Sequence, residues 1–212
     1  MQIWALTDPG NLRPQNQDAY ETATFGFDRA LLVVCDGMGG ARAGNVASEL
    51  AVAAFTAHVR ASQKGVNGAE RIFSMLREAL ARANRAVYER AQAGEEYAGM
   101  GTTLVAAFIV KSTAYLINVG DSRAYHFSLS GVRQITQDHS LVQMMVLRGE
   151  LTAEQAKNFP GKNLITRAVG TEPEVEGDVF LQELRKDECL LLCSDGLSNE
   201  MADQEMLFEV AH

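Results

Sequence analysis

Three apolar runs in this sequence end directly in an aspartate beside a glycine: LLVVCDG at Asp36, YLINVGDS at Asp121 and CLLLCSDG at Asp195. A buried strand that stops at a carboxylate holds it on rigid backbone at the rim of a sheet. If the three rims converge, they form a cage of hard oxygen ligands suited to Mg2+ or Mn2+. Each pattern alone is also an ordinary turn signal, because Asp-Gly fits a tight hairpin after a strand. Its recurrence three times is what shifts the reading toward a cage. In DGMGGARAG, from Asp36 to Gly44, four glycines follow the first carboxylate and run into a helix start, which suits close approach of backbone to an anion or a hydrated metal. The stretch is no Walker A loop, since Gly-x-x-x-x-Gly-Lys-Ser/Thr occurs nowhere in the chain. Met38, two residues past Asp36, rules out an Asp-x-Asp nucleophile pair.

The elements that must position these groups follow from hydrophobic patterning. Apolar, β-branched and aromatic residues cluster at 3–6, 30–35, 103–110, 114–119, 124–127 and 189–193, which read as strands. Between the second and third lie two stretches of helical spacing, one carrying Val46, Leu50, Ala53 and Ala54, the other Ile72, Leu76, Leu80, Ala83 and Val87. Residues 64–68 and 93–101 are loops. SLSGVRQI reads as a hairpin closed near Gly131. A short helix pair over about 140–160, broken by Gly149 and ended by Pro160, projects as a flap. Strands, then helices, then strands argue for an α+β fold with antiparallel sheets and helices outside them.

The length of 212 residues with 47% apolar content suits a single domain, 1–212. A formal net charge of -8 sets nucleic acid and anionic membrane at a disadvantage and favours cationic partners, metal ions included. The three cysteines, Cys35, Cys189 and Cys193, lie in or beside apolar runs and read as small hydrophobes in a reducing compartment. The start MQIWALTDPGNLRPQNQD lacks the features of a secretory signal, and no apolar run approaches the roughly 20 residues needed to cross a bilayer. The expectation is a cytoplasmic protein.

Seven segments then carry a family likeness in one order: RPQNQDAY (13–20), VVCDGMGGARAG (33–44), GMGTTLV (99–105), INVGDSRAY (117–125), ITQDHSL (135–141), LITRAVG (164–170) and LLLCSDGLSN (190–199). In them the chain resembles the bacterial form of the PPM, or type 2C, metal-dependent serine/threonine protein phosphatases. The resemblance implies two stacked antiparallel β-sheets flanked by helices, with a metal centre at one end of the sandwich. It makes Asp36 the carboxylate bridging two principal Mn2+ or Mg2+ ions, the Gly37 carbonyl a ligand of one, and Asp195 a ligand of the other. Asp121 matches a position that helps hold a weaker third ion, and Asp18 one that binds metal waters. Arg13 matches the guanidinium that grips the substrate phosphate, a planar fork a lysine does not reproduce. The implied reaction is hydrolysis of phosphoserine or phosphothreonine by direct attack of a hydroxide bridging the metals, without a phosphoenzyme. The implied partners are phosphorylated proteins, targets of a serine/threonine kinase, acted on by a monomer.

Several positions depart from the pattern. Gln17 stands where glutamate is frequent, and Met38 where many eukaryotic members have a histidine proposed as general acid. The family closes with a strand bearing an Asp-Asn pair, whereas this chain reaches His212 in a helical-looking segment. The expectation is a catalytic domain lacking that last ligand strand. Two other readings stand beside catalysis on phosphoproteins: a phosphatase-like module that binds phosphorylated partners with little turnover, and a metal enzyme for small phosphate esters. His139 is read as structural, Thr102 and Thr103 as giving at most a supporting hydrogen bond, and His58 as a helix residue without a partner.

Overall fold

The computed structural model of the chain describes residues 1–11 and 15–211. Among the described residues nine strands form two sheets. The larger holds β1 (Asp18–Thr24), β2 (Arg29–Met38), β3 (Gly101–Thr102), β4 (Leu104–Val110), β5 (Thr113–Val119) and β8 (Asp178–Glu183), in the order β1-β2-β4-β5-β8 with β3 paired to the end of β2. The smaller holds β6 (Arg123–Ser128), β7 (Gly131–Gln134) and β9 (Cys189–Cys193), in the order β7-β6-β9. Every pairing is antiparallel.

Strand periodicity sorts the core into layers. Along β4, Leu104, Ala106 and Phe108 face one side, while Val105, Ala107 and Ile109 face the other. The first set packs with Leu31, Val33 and Cys35 against two long helices, α1 (Gly40–Ser62) and α2 (Ala69–Ala91). The second set meets Ala124, Leu190 and Leu192 of the small sheet. The outer face of the small sheet, with Tyr125, Phe127 and Cys193, is covered by Met206 of α6 (Asp203–Ala211). The result is the expected helix, sheet, sheet, helix sandwich. Strands buried on both faces lose polar alternation, which is why β2, β4 and β5 stand out as near-continuous apolar runs. In α2 the buried residues Ile72, Met75, Leu76, Ala79, Leu80, Ala83 and Val87 recur at helical spacing. Truncating the fully buried Leu76 to alanine is expected to cost about 2–5 kcal/mol.

The flap is two short helices, α3 (Leu141–Leu147) and α4 (Ala153–Lys157). Ser140 caps α3 through its side chain, and Thr152 and Gln155 form a capping box on α4. Its two feet pair at Ser140 and Ile165. One further short helix, α5 (Asp195–Ser198), follows β9 directly.

Three expectations are corrected. Residues 3–6 form no strand: Trp4 and Leu6 are 80% and 90% exposed, and only Ile3 packs on the core between the sheets. The strand expected over 103–110 is split, because Thr103 turns aside between β3 and β4 to bond Asp36. Strands β1 and β8 went unread because DAYETAT and DVFLQE mix polar and apolar residues at the two edges of the sheet. Among the described residues no helix is long and apolar enough to cross a membrane.

Candidate active site

Four aspartates come from four strand ends. Asp18 opens β1 directly opposite Asp36 near the end of β2. Ser194, just past β9, donates its hydroxyl to Asp18 Oδ2 at 2.7 Å. Asp195 follows in the first turn of α5, where its Oδ2 accepts from Asn199 Nδ2 at 3.0 Å. Asp121 lies in the turn between β5 and β6.

Backbone contacts fix where these carboxylates stand. The Asp36 amide donates to Thr103 Oγ1 at 2.8 Å, and its carbonyl accepts from the Thr103 amide and from Thr102 Oγ1, both at 2.9 Å. Thr103 Oγ1 also lies 2.7 Å from the hydroxyl of Ser122, next to Asp121, so one side chain ties two aspartate-bearing segments together. The supporting role expected for the two threonines is therefore seen. Gly120, at φ +100, brings the Asp121 turn against Thr103; a Cβ there would lie 2.6 Å from Thr103 Cγ2. The Gly37 amide donates to the Gln17 carbonyl at 3.0 Å, and a Cβ on Gly37 would fall 1.9 Å from the Gly44 carbonyl oxygen. Beneath Asp36, then, strand backbone packs directly on the start of α1.

The electrostatics of this cluster are unfavourable by themselves. Burial pushes the Asp36 carboxyl up to about 8, aided by the charges of Asp18 and Asp195, a hydrogen bond with Asp195, and the charge of Asp121. Asp121 is pushed up to about 6 by burial, then by Asp195 and Asp138, with Arg123 opposing. Among the described residues no three His, Cys, Asp or Glu side chains already enclose a point as a metal cage. The donor chemistry nonetheless fits hard divalent cations: the groups are carboxylate oxygens, crowded until they repel, beside the peptide carbonyl of Gly37.

The neighbouring polar groups are satisfied within the chain. Asp138 accepts from Arg123 Nε at 3.0 Å and Nη2 at 2.7 Å, and from Gln134 Nε2 at 2.9 Å. His139 is buried, accepts from the Gly120 amide at Nδ1 (3.1 Å) and lies 3.2 Å from Asp178 at Nε2. Burial holds its pKa below the usual imidazole value despite the hydrogen bond to Asp178, in keeping with the structural reading. His58 does have partners, Glu78 at 3.5 Å and Ser62 Oγ at 3.4 Å, which corrects the expectation of none. Arg13 lies outside the described residues. Sequence reasoning passed over Ser194, Ser122 and the Gln17 carbonyl, which also accepts from Ser48 Oγ at 2.7 Å. The first two sit beside Asp195 and Asp121, and that adjacency was the available signal.

Helices outside two antiparallel sheets, with acidic strand ends meeting at one rim, make a site whose chemistry fits hard cations. Comparison with known proteins agrees: the family model described as protein phosphatase 2C matches residues 14–211. The serine/threonine phosphatase stp of Listeria welshimeri is 40% identical over 200 residues, covering 94% of this chain and 79% of that protein. The solved S. agalactiae serine/threonine phosphatase superposes with a TM-score of 0.90 at 34% identity, covering 98% of this chain and 84% of that one. The catalytic domain of the serine/threonine protein phosphatase PstP, solved in complex with two manganese ions, gives a TM-score of 0.78 at 34% identity, covering 95% and 80%. The chain belongs to the protein phosphatase 2C family of serine/threonine phosphatases.

Proposed function

We propose that Asp36, Asp195 and the Gly37 carbonyl hold two Mn2+ or Mg2+ ions, that Asp121 helps hold a weaker third, and that phosphoserine and phosphothreonine in proteins are hydrolysed there by direct attack of water. The observation that carries this reading is the crowding of Asp18, Asp36, Asp121 and Asp195 at one rim, where burial and then like charge raise the Asp36 carboxyl to about 8. When bound, such cations supply an activated water and neutralise the charge spread over the phosphoryl oxygens. Asp36, its peptide held by Thr102 and Thr103, presents its carboxylate between the Asp18 and Asp195 sides of the cluster. Asp18 spends one oxygen on Ser194 and keeps the other to order water. Arg13 grips the substrate phosphate with a bidentate fork. Met38, a thioether, has no proton to give, so the leaving alkoxide is protonated by water.

The same reading includes a monomeric, cytoplasmic enzyme that reverses a serine/threonine kinase. A net charge of -8 weighs against nucleic acid and anionic membrane as partners, and Cys35, Cys189 and Cys193 are all free thiols.

Turnover of p-nitrophenyl phosphate and of a phosphothreonine peptide, measured with added Mn2+ and after chelation, tests this. Metal-dependent turnover with preference for the peptide is expected; turnover that survives chelation overturns the metal reading. Arg13→Ala is expected to raise KM for the peptide more than it lowers kcat, since the guanidinium meets phosphate in ground and transition states alike. A large fall in kcat at unchanged KM would move Arg13 to the transition state instead.

A further inference from the structure

The two feet of the flap and the turn that carries Asp121 meet at one imidazole. His139 forms two bonds with the same glycine: its amide donates to the Gly120 carbonyl at 2.9 Å, and its Nδ1 accepts from the Gly120 amide at 3.1 Å. Accepting at Nδ1 leaves the ring proton on Nε2, which points at Asp178 Oδ2, 3.2 Å away. Asp178, on the edge strand β8, is held in turn by Arg167, whose Nη1 donates to Asp178 Oδ1 at 3.0 Å and to the Glu176 carbonyl at 3.1 Å. Arg167 Nη1 and His139 Nε2, 3.3 Å apart, are then both donors aimed at one carboxylate rather than partners of each other. Arg167 follows the outgoing foot of the flap, and His139 begins the incoming one. The feet are joined by the Thr166 amide donating to the His139 carbonyl at 2.8 Å and the Leu141 amide donating to the Leu164 carbonyl at 2.9 Å.

Gly120 sits at φ +100 and immediately precedes Asp121. A peptide in that region has no side chain of its own to fix it, so its direction is set by what bonds its amide and carbonyl. His139 takes both, and the carbonyl also accepts from Asn118 Nδ2 at 3.3 Å, so the amide is bonded by the His139 ring. We propose that His139, braced by Asp178 and Arg167, is a positioning residue that sets the direction in which Asp121 presents its carboxylate, and so ties the weak cation site to the flap. The inference rests on Asp121 being a ligand of that site. It differs from a merely structural histidine in one respect: the bond that matters is the one from the Gly120 amide, and a side chain restoring that bond alone should restore the site.

Two substitutions separate the contacts. In His139→Asn the amide oxygen falls where Nδ1 stood and can accept from Gly120, but the side chain is too short to reach Asp178. In His139→Gln the terminal amide reaches Asp178 and leaves Gly120 unbonded. Mn2+ binding to the purified protein is measured by calorimetry, and exchange of the Gly120 amide is followed by NMR in metal-free protein. His139→Gln is expected to weaken the weakest Mn2+ site about 10-fold or more and to expose the Gly120 amide, with the tighter sites within about twofold of wild type. His139→Asn is expected to keep the amide protected and to recover most of that affinity. Equal loss in both variants, or unchanged binding in His139→Gln, overturns the proposal. Should both variants unfold, Arg167→Met on its half-exposed side chain replaces them: a several-fold loss confined to the weakest site supports the brace, and an unchanged site overturns it. Asp121→Asn is the control for the premise. If it leaves all Mn2+ binding unchanged, the role of Asp121 falls and the proposal with it; if it weakens a site that His139→Gln does not touch, the proposal alone falls.

Discussion

Asp138 and Asp36 are both sheltered carboxyl groups that act on Asp121, and the chain treats them in opposite ways. Asp138 is met by the Arg123 guanidinium through Nε and Nη2 and by the Gln134 amide. Burial works against the charge of Arg123, but the hydrogen bonds and charge of Asp138 more than restore it and hold its pKa above the ordinary value. Asp36 is surrounded instead by Asp18, Asp195 and Asp121, and burial together with these charges raises its pKa, which favours the neutral form where the raise at Arg123 favours the charged one. A buried charge given its counter-charge by the chain belongs to the architecture. One surrounded by its own sign marks where a counter-charge has to come from solution.

The largest test of that contrast is Asp36→Asn. Activity should fall by about a thousandfold, since about 4 kcal/mol of transition-state stabilisation by the cations corresponds to three powers of ten in rate. The melting temperature of the metal-free protein, measured above pH 8 where Asp36 is ionised, should hold or rise, because a crowded negative charge has been removed. Wild-type turnover, or a marked loss of metal-free stability, would place Asp36 with Asp138 among the structural groups. Arg123→Met is the complementary experiment. It leaves Asp138 sheltered without its cation, and chemical denaturation should show a loss of about 3 kcal/mol. A loss below about 0.5 kcal/mol would mean that water replaces the guanidinium and that the two aspartates differ less than their surroundings indicate.

Acidity provides a finer comparison. In chelated protein the folded Asp36 releases its proton near 8, whereas the unfolded chain releases it near the ordinary value of 3.8. Between those values the folded state binds more protons, so its advantage is complete below 3.8 and is lost as pH rises through 8. Asp121 acts in the same direction through about 6. Melting temperatures of chelated protein should therefore decline from pH 5 to pH 8 and then level off, and saturating Mn2+ should abolish most of the decline. A chelated protein that gains stability over that range would contradict the crowding. At the small end, the exposed pair between Arg85 and Glu89 on α2 sets the background. Arg85→Ala should cost about 0.3 kcal/mol and leave turnover unchanged; a larger effect would mean that surface charge contributes to differences otherwise assigned to the rim.

Much of this contrast was legible in the residues themselves. LLVVCDG, YLINVGDS and CLLLCSDG each announced a strand closing on a carboxylate, because strands covered on both faces keep few polar positions to blur the pattern. The edge strands were harder. In DAYETAT only Ala23 is fully buried, so the segment lacks the apolar run that marked its partner β2. The cluster of Ile3 and Trp4 misled for the opposite reason, since apolar composition without a strand to pair with makes no sheet. The register of Asp18 opposite Asp36 was beyond reach, because nothing local encodes a pairing across 18 residues. The same holds for the hydroxyls of Ser194 and Thr103, which act on residues 176 and 67 positions away in the chain.

The floor under Asp36 has a consequence for how such an enzyme can change over time. A methyl group on Gly37 would fall 1.9 Å from the Gly44 carbonyl oxygen and would have to displace a strand or a helix, whereas one on Gly44 would press first on the Gln17 side chain at 2.7 Å and then on the Gly37 carbonyl oxygen at 2.8 Å. A surface made of main chain offers selection no graded variants: each substitution there is all or nothing. Adjustment of metal preference or substrate range must therefore be confined to the rim and the flap, where side chains can be exchanged one at a time. Laboratory evolution of this chain should leave 37 as glycine in every active lineage while the flap residues diversify around it.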